Sequence, residues 1–420
     1  MYYIYGKLFS TPNSSIPNER IGFALGTKTE LVTIVGLSTE GYSLASALIN
    51  NRMETIIVDE NLQMGMKLTP DVISSYGEVS KLLEGETLVS LEPMQSSINR
   101  ADYILFTPKI RKTDQEAKTE VSTRFRDIAK NISKNTTIIF CLPVGFNENR
   151  VNIAVIEKMS GLQEGEDFEY IYAPLQPRSK NVLSLGPQII GDKTKEVFKK
   201  AEIKLPKAST LETSETLYFR NILSQYIPKA LDLEVYKKIS NRKERIKIKK
   251  ILGTNESEYL DKITESLFDL KFVLGTLDTG DPSLYLTTGV LKSIDGYVKY
   301  VVDEIRNVMK QNELKASKTK VTLAWSVDKY EMRGERLAVL NSIKERLHDY
   351  IGDVNILNRG EYTAQTGMGF TMTIPGINKT DIVVICSEED QKYASKVFNL
   401  DDEKCETVVL KADLLVDQYR

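Results

Sequence analysis

The chain has 420 residues, 41% of them hydrophobic, with 56 Lys plus Arg against 58 Asp plus Glu. That length suits two or three domains with ordinary soluble cores, and a net charge of −2 gives no global pull toward nucleic acid or an anionic membrane surface. Three cysteines without C-x-x-C spacing and a single histidine, His348, argue against a disulfide scaffold, a metal site, and any mechanism needing two imidazoles.

The N-terminus lacks a basic region followed by an apolar core, and no apolar run reaches spanning length, so a soluble cytoplasmic protein is expected. Residues 1–30 read as an extension. Tyr2, Tyr3, Ile4 and Tyr5 suit a short strand, and residues 11–18, with two prolines, a loop. Leu31–Val35 is an apolar run of the kind that forms a strand buried on both faces. Gly36 and Gly41 then bracket a short turn into a helix whose apolar face carries Leu44, Ala45, Leu48 and Ile49. A second apolar run, residues 55–58, ends on Asp59.

Strand, glycine turn, helix, strand and acid in this order predict a Rossmann-type start. The helix N-terminus would face a pyrophosphate and Asp59 would hold ribose hydroxyls, favouring NAD over NADP because its carboxylate repels a 2′-phosphate. The middle glycine of G-x-G-x-x-G is Ser38 here. The alternative is a Rossmann-like unit that binds nothing at this turn.

After Asp59 come a polar linker, a helical stretch near residues 79–83, and the strand 101–106 (ADYILF), which runs into Thr107 and Pro108. A polar helix at 119–132 precedes the strand 137–140 and the loop CLPVGFNEN. A helix at 151–159 and a strand at 168–173 follow. This alternation predicts a mainly parallel, doubly wound sheet, with Ser38, Asp59, Thr107 and Pro143 on the rim beyond the strand ends.

Residues 209–311 read as long helices. Within them, 237–250 (KKISNRKERIKIKK) carries eight basic residues against one acid. An anion or nucleic-acid patch is one reading. A solvated or oligomer-facing helix is the other and is preferred, since no aromatics interleave; nucleic acid is therefore not expected as a partner. A second α/β unit follows, with strands at 321–325, 354–357, 381–386 and 407–410 and a helix at 337–347. The glycine-rich stretch 365–376 (QTGMGFTMTIPG) reads as a loop, since it lacks the strand and helix that flank a phosphate cradle.

From residue 30 onward this order of features resembles the UDP-glucose/GDP-mannose (nucleotide-sugar) dehydrogenase family. Ala101-Asp102 through Thr107-Pro108 is similar to the family's aD-strand-TP segment, and residues 141–145 (CLPVG) look like its TVPPGTT loop. Residues 186–191 (GPQIIG) resemble PKVVGG, 281–286 (DPSLYL) the DPYYL segment, and 331–335 (EMRGE) the DVRES segment. The resemblance implies two Rossmann-like doubly wound α/β domains joined by a central helical segment. Its parts would be an extension (1–30), an NAD-binding domain (31–206), a helical dimerisation domain (207–312) and a nucleotide-sugar-binding α/β domain (313–420). It also implies a homodimer or hetero-oligomer, a nucleotide sugar as ligand, and Arg333 as a nucleotide-phosphate contact. For Arg333 the alternative is a surface ion pair with Glu331 or Glu335.

The family's chemistry needs a thiolate to hold an aldehyde as a tetrahedral adduct before the second hydride leaves. Here Leu277 aligns with that cysteine, Tyr218 with the family's lysine and Leu175 with its glutamate. Asp281 alone matches, while Asn221 is one residue out of register. Cys141, in the loop 141–145, suits a buried small hydrophobe. Ser38, Tyr218, Leu175 and Leu277 together suggest a site relaxed from its chemistry. A catalytically impaired paralogue is therefore expected, one that binds NAD(H), a nucleotide sugar or a partner subunit. The first competitor is an active dehydrogenase performing one two-electron oxidation on a related sugar, with Tyr218 or an unaligned lysine as base; the tyrosine would require a strongly lowered pKa. The second is a basic oligomeric scaffold built on residues 237–250.

Overall fold

A computed structural model describes residues 30–85, 89–112, 114–239, 242–251, 258–359, 380–400, 405–414 and 416–418. The expected strand at residues 2–5, the loop at 11–18 and the glycine-rich loop at 365–376 lie outside the described residues.

The first unit runs β1 (Leu31–Val35), α1 (Thr39–Asn50), β2 (Glu54–Asp59), β3 (Met64–Lys67), α2 (Pro70–Ser75), α3 (Val79–Glu84), β4 (Ser90–Pro93), α4 (Met94–Arg100) and β5 (Tyr103–Phe106). It continues with α5 (Asp114–Ala129), β6 (Thr136–Phe140), α6 (Glu148–Ser160), β7 (Phe168–Tyr172) and α7 (Asp192–Lys200). The seven strands lie in the order β4-β3-β2-β1-β5-β6-β7. β2, β1, β5, β6 and β7 are parallel neighbours, as their unbroken apolar runs predict. Val35 sits beside Val58 and Phe106, and Phe106 beside Phe140, so the strand ends carrying Gly36, Asp59, Thr107 and Cys141 share one edge. The chain reverses direction of growth between β1 and β5, which makes that point the crevice where open α/β sheets take ligands.

The stretch after Asp59 is not only a linker. Residues 64–67 (MGMK) pair antiparallel with β2, and β4 pairs antiparallel with β3. Gly65 allows this, because a Cβ there would lie 2.2 Å from Ser97 Oγ.

The helical segment comprises α8 (Leu211–Lys237), α9 (Arg242–Ile251), α10 (Leu260–Thr264), α11 (Leu267–Leu274) and α12 (Pro282–Gln311). The last unit holds β8 (Lys320–Ala324), α13 (Glu335–His348), β9 (Asp353–Leu357), β10 (Ile382–Ile385), α14 (Glu388–Phe398), β11 (Val408–Lys411) and β12 (Asp417–Gln418). Its sheet has the order β12-β11-β10-β8-β9, parallel except for β12. The chain is thus α/β with two doubly wound sheets separated by long helices. Three apolar clusters hold the described residues together. One surrounds the first sheet; a second joins Tyr218, Leu270, Ile294 and Tyr297 of the helices to Leu323 and Trp325 of the second sheet; a smaller third joins Val383, Ile385 and Val409 of that sheet to Ala394 of α14. Among the described residues, no helix is long and apolar enough to cross a membrane.

Candidate functional site

The β1–α1 turn is built as the glycine pattern predicts, with a change at its centre. Gly36 has φ +113°, and a Cβ there would lie 2.4 Å from the Thr107 carbonyl oxygen, so only glycine fits between β1 and the end of β5. Gly41 has Gly36 O and Thr107 Oγ1 each 2.7 Å from a built Cβ, which sets the close seat of α1 on the sheet. Ser38 is the N-cap of α1. Its Oγ accepts from Gly41 N–H at 3.0 Å and donates to the Thr107 carbonyl at 2.9 Å. With φ −102° the position has no need of glycine. Ser38 is therefore a cap that ties the two sides of the crevice together, rather than a relaxed position.

Thr107 and Pro143 follow the ends of β5 and β6, and Asp59 is the last residue of β2, turned inward. It is 5% exposed, and its Oδ1 accepts from the Asn61 and Leu62 N–H groups at 2.9 and 3.2 Å, closing the turn into β3. Beside it, Glu60 and Glu120 clamp Arg124 at 2.8 and 2.6 Å. Burial is the largest influence on Glu60 and pushes its carboxyl up to about 7.

Residues 328–334 of the last unit cross this crevice as a strap. The Thr39 N–H donates to the Tyr330 carbonyl at 2.8 Å, and the Thr39 hydroxyl to the Asp328 carboxylate. Met332 N–H donates to Glu40 Oε2 at 2.9 Å, while Ile110 N–H donates to the Met332 carbonyl at 2.7 Å. Arg111 reaches back to the carbonyls of Lys329 and Glu331. Gly334 permits the crossing, since a Cβ there would meet the Ile110 carbonyl oxygen at 2.8 Å. Of the three amides α1 would offer a phosphate, those of Thr39 and Gly41 are bonded within the chain. The negative charge favoured at the helix start is the protein's own Glu40, 5% exposed. A dinucleotide pyrophosphate does not fit this turn as it stands. The sequence reading missed Glu40 and Asp328, whose only signal is an acid in the first turn of α1 and another ahead of the EMRGE segment.

Where the resemblance implies chemistry, the chain has a buried polar network. Arg333 is 4% exposed and pairs with Asp269 of α11, itself fully buried, and donates to the Leu175 carbonyl at 2.7 Å. Tyr218 of α8 donates to the other oxygen of Asp269 at 2.8 Å. Neither expected alternative partner takes Arg333: Glu331 is paired with Arg336, and Glu335 with Lys271 at 2.7 Å. Among the described residues Arg333 Nη1 has no hydrogen-bond partner. Burial, and after it the Asp269 charge, push the Tyr218 phenol well above its usual range. A base there would need the opposite shift, so Tyr218 is a hydrogen-bond donor and not a poised phenolate. Asp269 itself is lifted by burial against the pull of Arg333.

Other candidates lie apart from this network. Asp281 caps α12, its Oδ1 accepting from Ser283 N–H at 2.8 Å. Asn221 makes one long contact, 3.5 Å, to the Leu183 carbonyl. Cys141 is fully buried and burial pushes its thiol up to about 12, which disfavours the thiolate at neutral pH. The loop carrying Pro143 is pinned by Glu215 of α8, which accepts from Asn147 N–H at 2.7 Å and from the Asn149 side chain at 2.9 Å. In the basic run, Lys237 pairs with Glu234 at 2.6 Å and Lys243 and Lys247 are exposed on or beside α9. Among the described residues no group of three or more His, Cys, Asp or Glu could hold a metal ion.

No protein-family model matches the chain, nor does any curated protein sequence. Solved structures do. The UDP-D-ManNAc dehydrogenase of Pyrococcus horikoshii superposes with a TM-score of 0.60 at 12% identity, over 92% of this chain and 96% of that one. A UDP-glucose dehydrogenase of Pyrobaculum islandicum gives 0.58 at 12% identity, over 93% and 96%. The UDP-N-acetyl-mannosamine dehydrogenase Cap5O of Staphylococcus aureus gives 0.56 at 17%, over 86% and 89%. Identities this low establish a shared fold, including the helical segment between two α/β units, and nothing finer.

Proposed function

We propose that the chain is a catalytically silent relative of nucleotide-sugar dehydrogenases, serving as a ligand-binding or partner subunit. The observation that carries this is a buried network in which Asp269 bonds both Tyr218, at the position the resemblance gives a catalytic lysine, and Arg333, at the position it gives a phosphate contact. Oxidising an alcohol needs a base free to take the hydroxyl proton, and carrying the aldehyde on to the acid needs an accessible nucleophile as well. Here the phenol is pushed up, the nearest thiol is buried, and Leu175 and Leu277 are apolar. The retained elements would serve binding: a nucleotide sugar or a second subunit, in a homodimer or hetero-oligomer, with the division at 31–206, 207–312 and 313–420 as its working parts. If a dinucleotide enters, Asp59 favours NAD over NADP.

The test is to mix the purified protein with NAD+ and a panel of UDP- and GDP-sugars and follow NADH absorbance. No turnover is expected. Sustained NADH formation would establish the competing reading, an active dehydrogenase with a different base. Thermal shifts with the same sugars, without NAD+, report the binding role; a protein unmoved by every sugar would remove the nucleotide-sugar part of the proposal.

A further inference from the structure

We infer that the strap at residues 328–334 is an intramolecular plug that holds the dinucleotide crevice shut. The fold implies a dinucleotide at the β1–α1 turn, and the residues there are already committed to other bonds. The Tyr330 carbonyl takes the Thr39 amide, the Asp328 carboxylate takes the Thr39 hydroxyl, and Glu40 is bridged to Met332 N–H and, at 3.2 Å, to Arg178 N–H. The strap is fastened from its other side by Ile110 and Arg111, which continue the end of β5. Glu120 in turn accepts from the Arg111 and Lys112 amides at 3.1 and 3.0 Å.

The strap therefore lies at the switch point between β1 and β5, in the place a pyrophosphate takes in such sheets. Two of the three amides that would meet phosphate are met by acceptors of the chain's own, Thr39 by the strap and Gly41 by Ser38. A carboxylate and a carbonyl at a helix N-terminus are what a phosphate would replace there. The plug differs from a lost site. The glycine at position 36, the close-packing Gly41 and the parallel strand ends all remain, and only an exchange of acceptors separates closed from open. A ligand that binds the open form alone loses apparent affinity in proportion to how little of that form is populated.

Two variants loosen the strap without touching the turn. Gly334→Ala puts a methyl 2.8 Å from the Ile110 carbonyl oxygen, and Arg111→Ala removes the bonds to the Lys329 and Glu331 carbonyls. NADH binding is measured by calorimetry on the full chain, and amide hydrogen exchange reports the strap. Either variant should speed exchange at Tyr330 and Met332 and tighten NADH at least about tenfold over wild type. Adding Thr39→Glu, which sets a carboxylate where the pyrophosphate would lie, should remove the gain. Faster exchange with no gain in NADH affinity would overturn the plug, because the turn would then be no dinucleotide site. Wild-type protein that binds NADH as tightly as both variants would overturn it too. So would exchange that is unchanged in both, since these bonds would not be what holds the strap. The readout is binding and not turnover, so its failure is separable from that of the silent-enzyme proposal.

Discussion

Replacing Arg333 by methionine should destabilise the protein by roughly 3–5 kcal/mol, the usual cost of removing one partner of a buried ion pair. Asp269 is 0% exposed and holds two partners, the Arg333 guanidinium and the Tyr218 hydroxyl at 2.8 Å. Without the guanidinium, a carboxylate already lifted by burial has one neutral donor left and takes up a proton to escape its unpaired charge. The folded variant then holds a proton that the unfolded chain releases near the ordinary aspartate value. Its stability should accordingly fall as pH rises from that value toward the higher folded one, a slope steeper than in wild type. Urea unfolding at several pH values measures both effects, with an unchanged m-value showing that the same surface is exposed. Asp269→Leu with Arg333→Met should recover most of the loss, and Tyr218→Phe added to the pair should remove the hydroxyl left unpaired, worth about 1 kcal/mol. A loss under about 1 kcal/mol with no pH slope, together with a collapse of nucleotide-sugar binding, would refute the reasoning and make Arg333 a ligand contact.

Glu60→Gln should flatten another slope. Glu60 titrates at about 7 in the fold against 4.5 for the free group, so the folded chain keeps a proton longer and wild-type stability falls between those values. The loss is up to about 3 kcal/mol, levelling above the folded value. Unfolding at about pH 5 and about pH 8 should show it in wild type and not in the glutamine variant. Ser38→Ala removes the cap and the bond to Thr107, for roughly 1–2 kcal/mol, and Gly36→Ala, strained at φ +113° and 2.4 Å from backbone, should cost more. Thermal melts rank the two, and equal losses would deny Gly36 its special position. Iodoacetamide on the native protein should label half-buried Cys405 well ahead of Cys141 and Cys386, both fully buried with thiols pushed up; early labelling of Cys141, read by mass spectrometry, would contradict its reading as a buried small hydrophobe.

The parallel core of the first sheet was legible because a strand buried on both faces leaves an unbroken apolar run, as in residues 31–35, 55–58 and 137–140. The glycine turn was legible because φ > 0 and close approach restrict position 36 to one residue type. The β3–β4 ribbon was not, because MGMK and SLEP are too short for a period to emerge and take their extended form from the β2 edge.

Within the site, residue types and order were set locally, whereas their partners were not. Ser38 looked like a blemish in a phosphate motif until its cap bond to Gly41 and its bond to Thr107, 69 residues on, were visible. Arg333 carried a plausible ligand role from its neighbours in sequence. Its actual partner, Asp269, is 64 residues away and has no motif of its own. The alternating strands and helices thus determined by sequence alone that the chain is α/β, with a crevice at the ends of β1 and β5. Only tertiary structure decided what fills that crevice, because desolvation and hydrogen-bond satisfaction depend on which distant groups the fold brings to a buried donor.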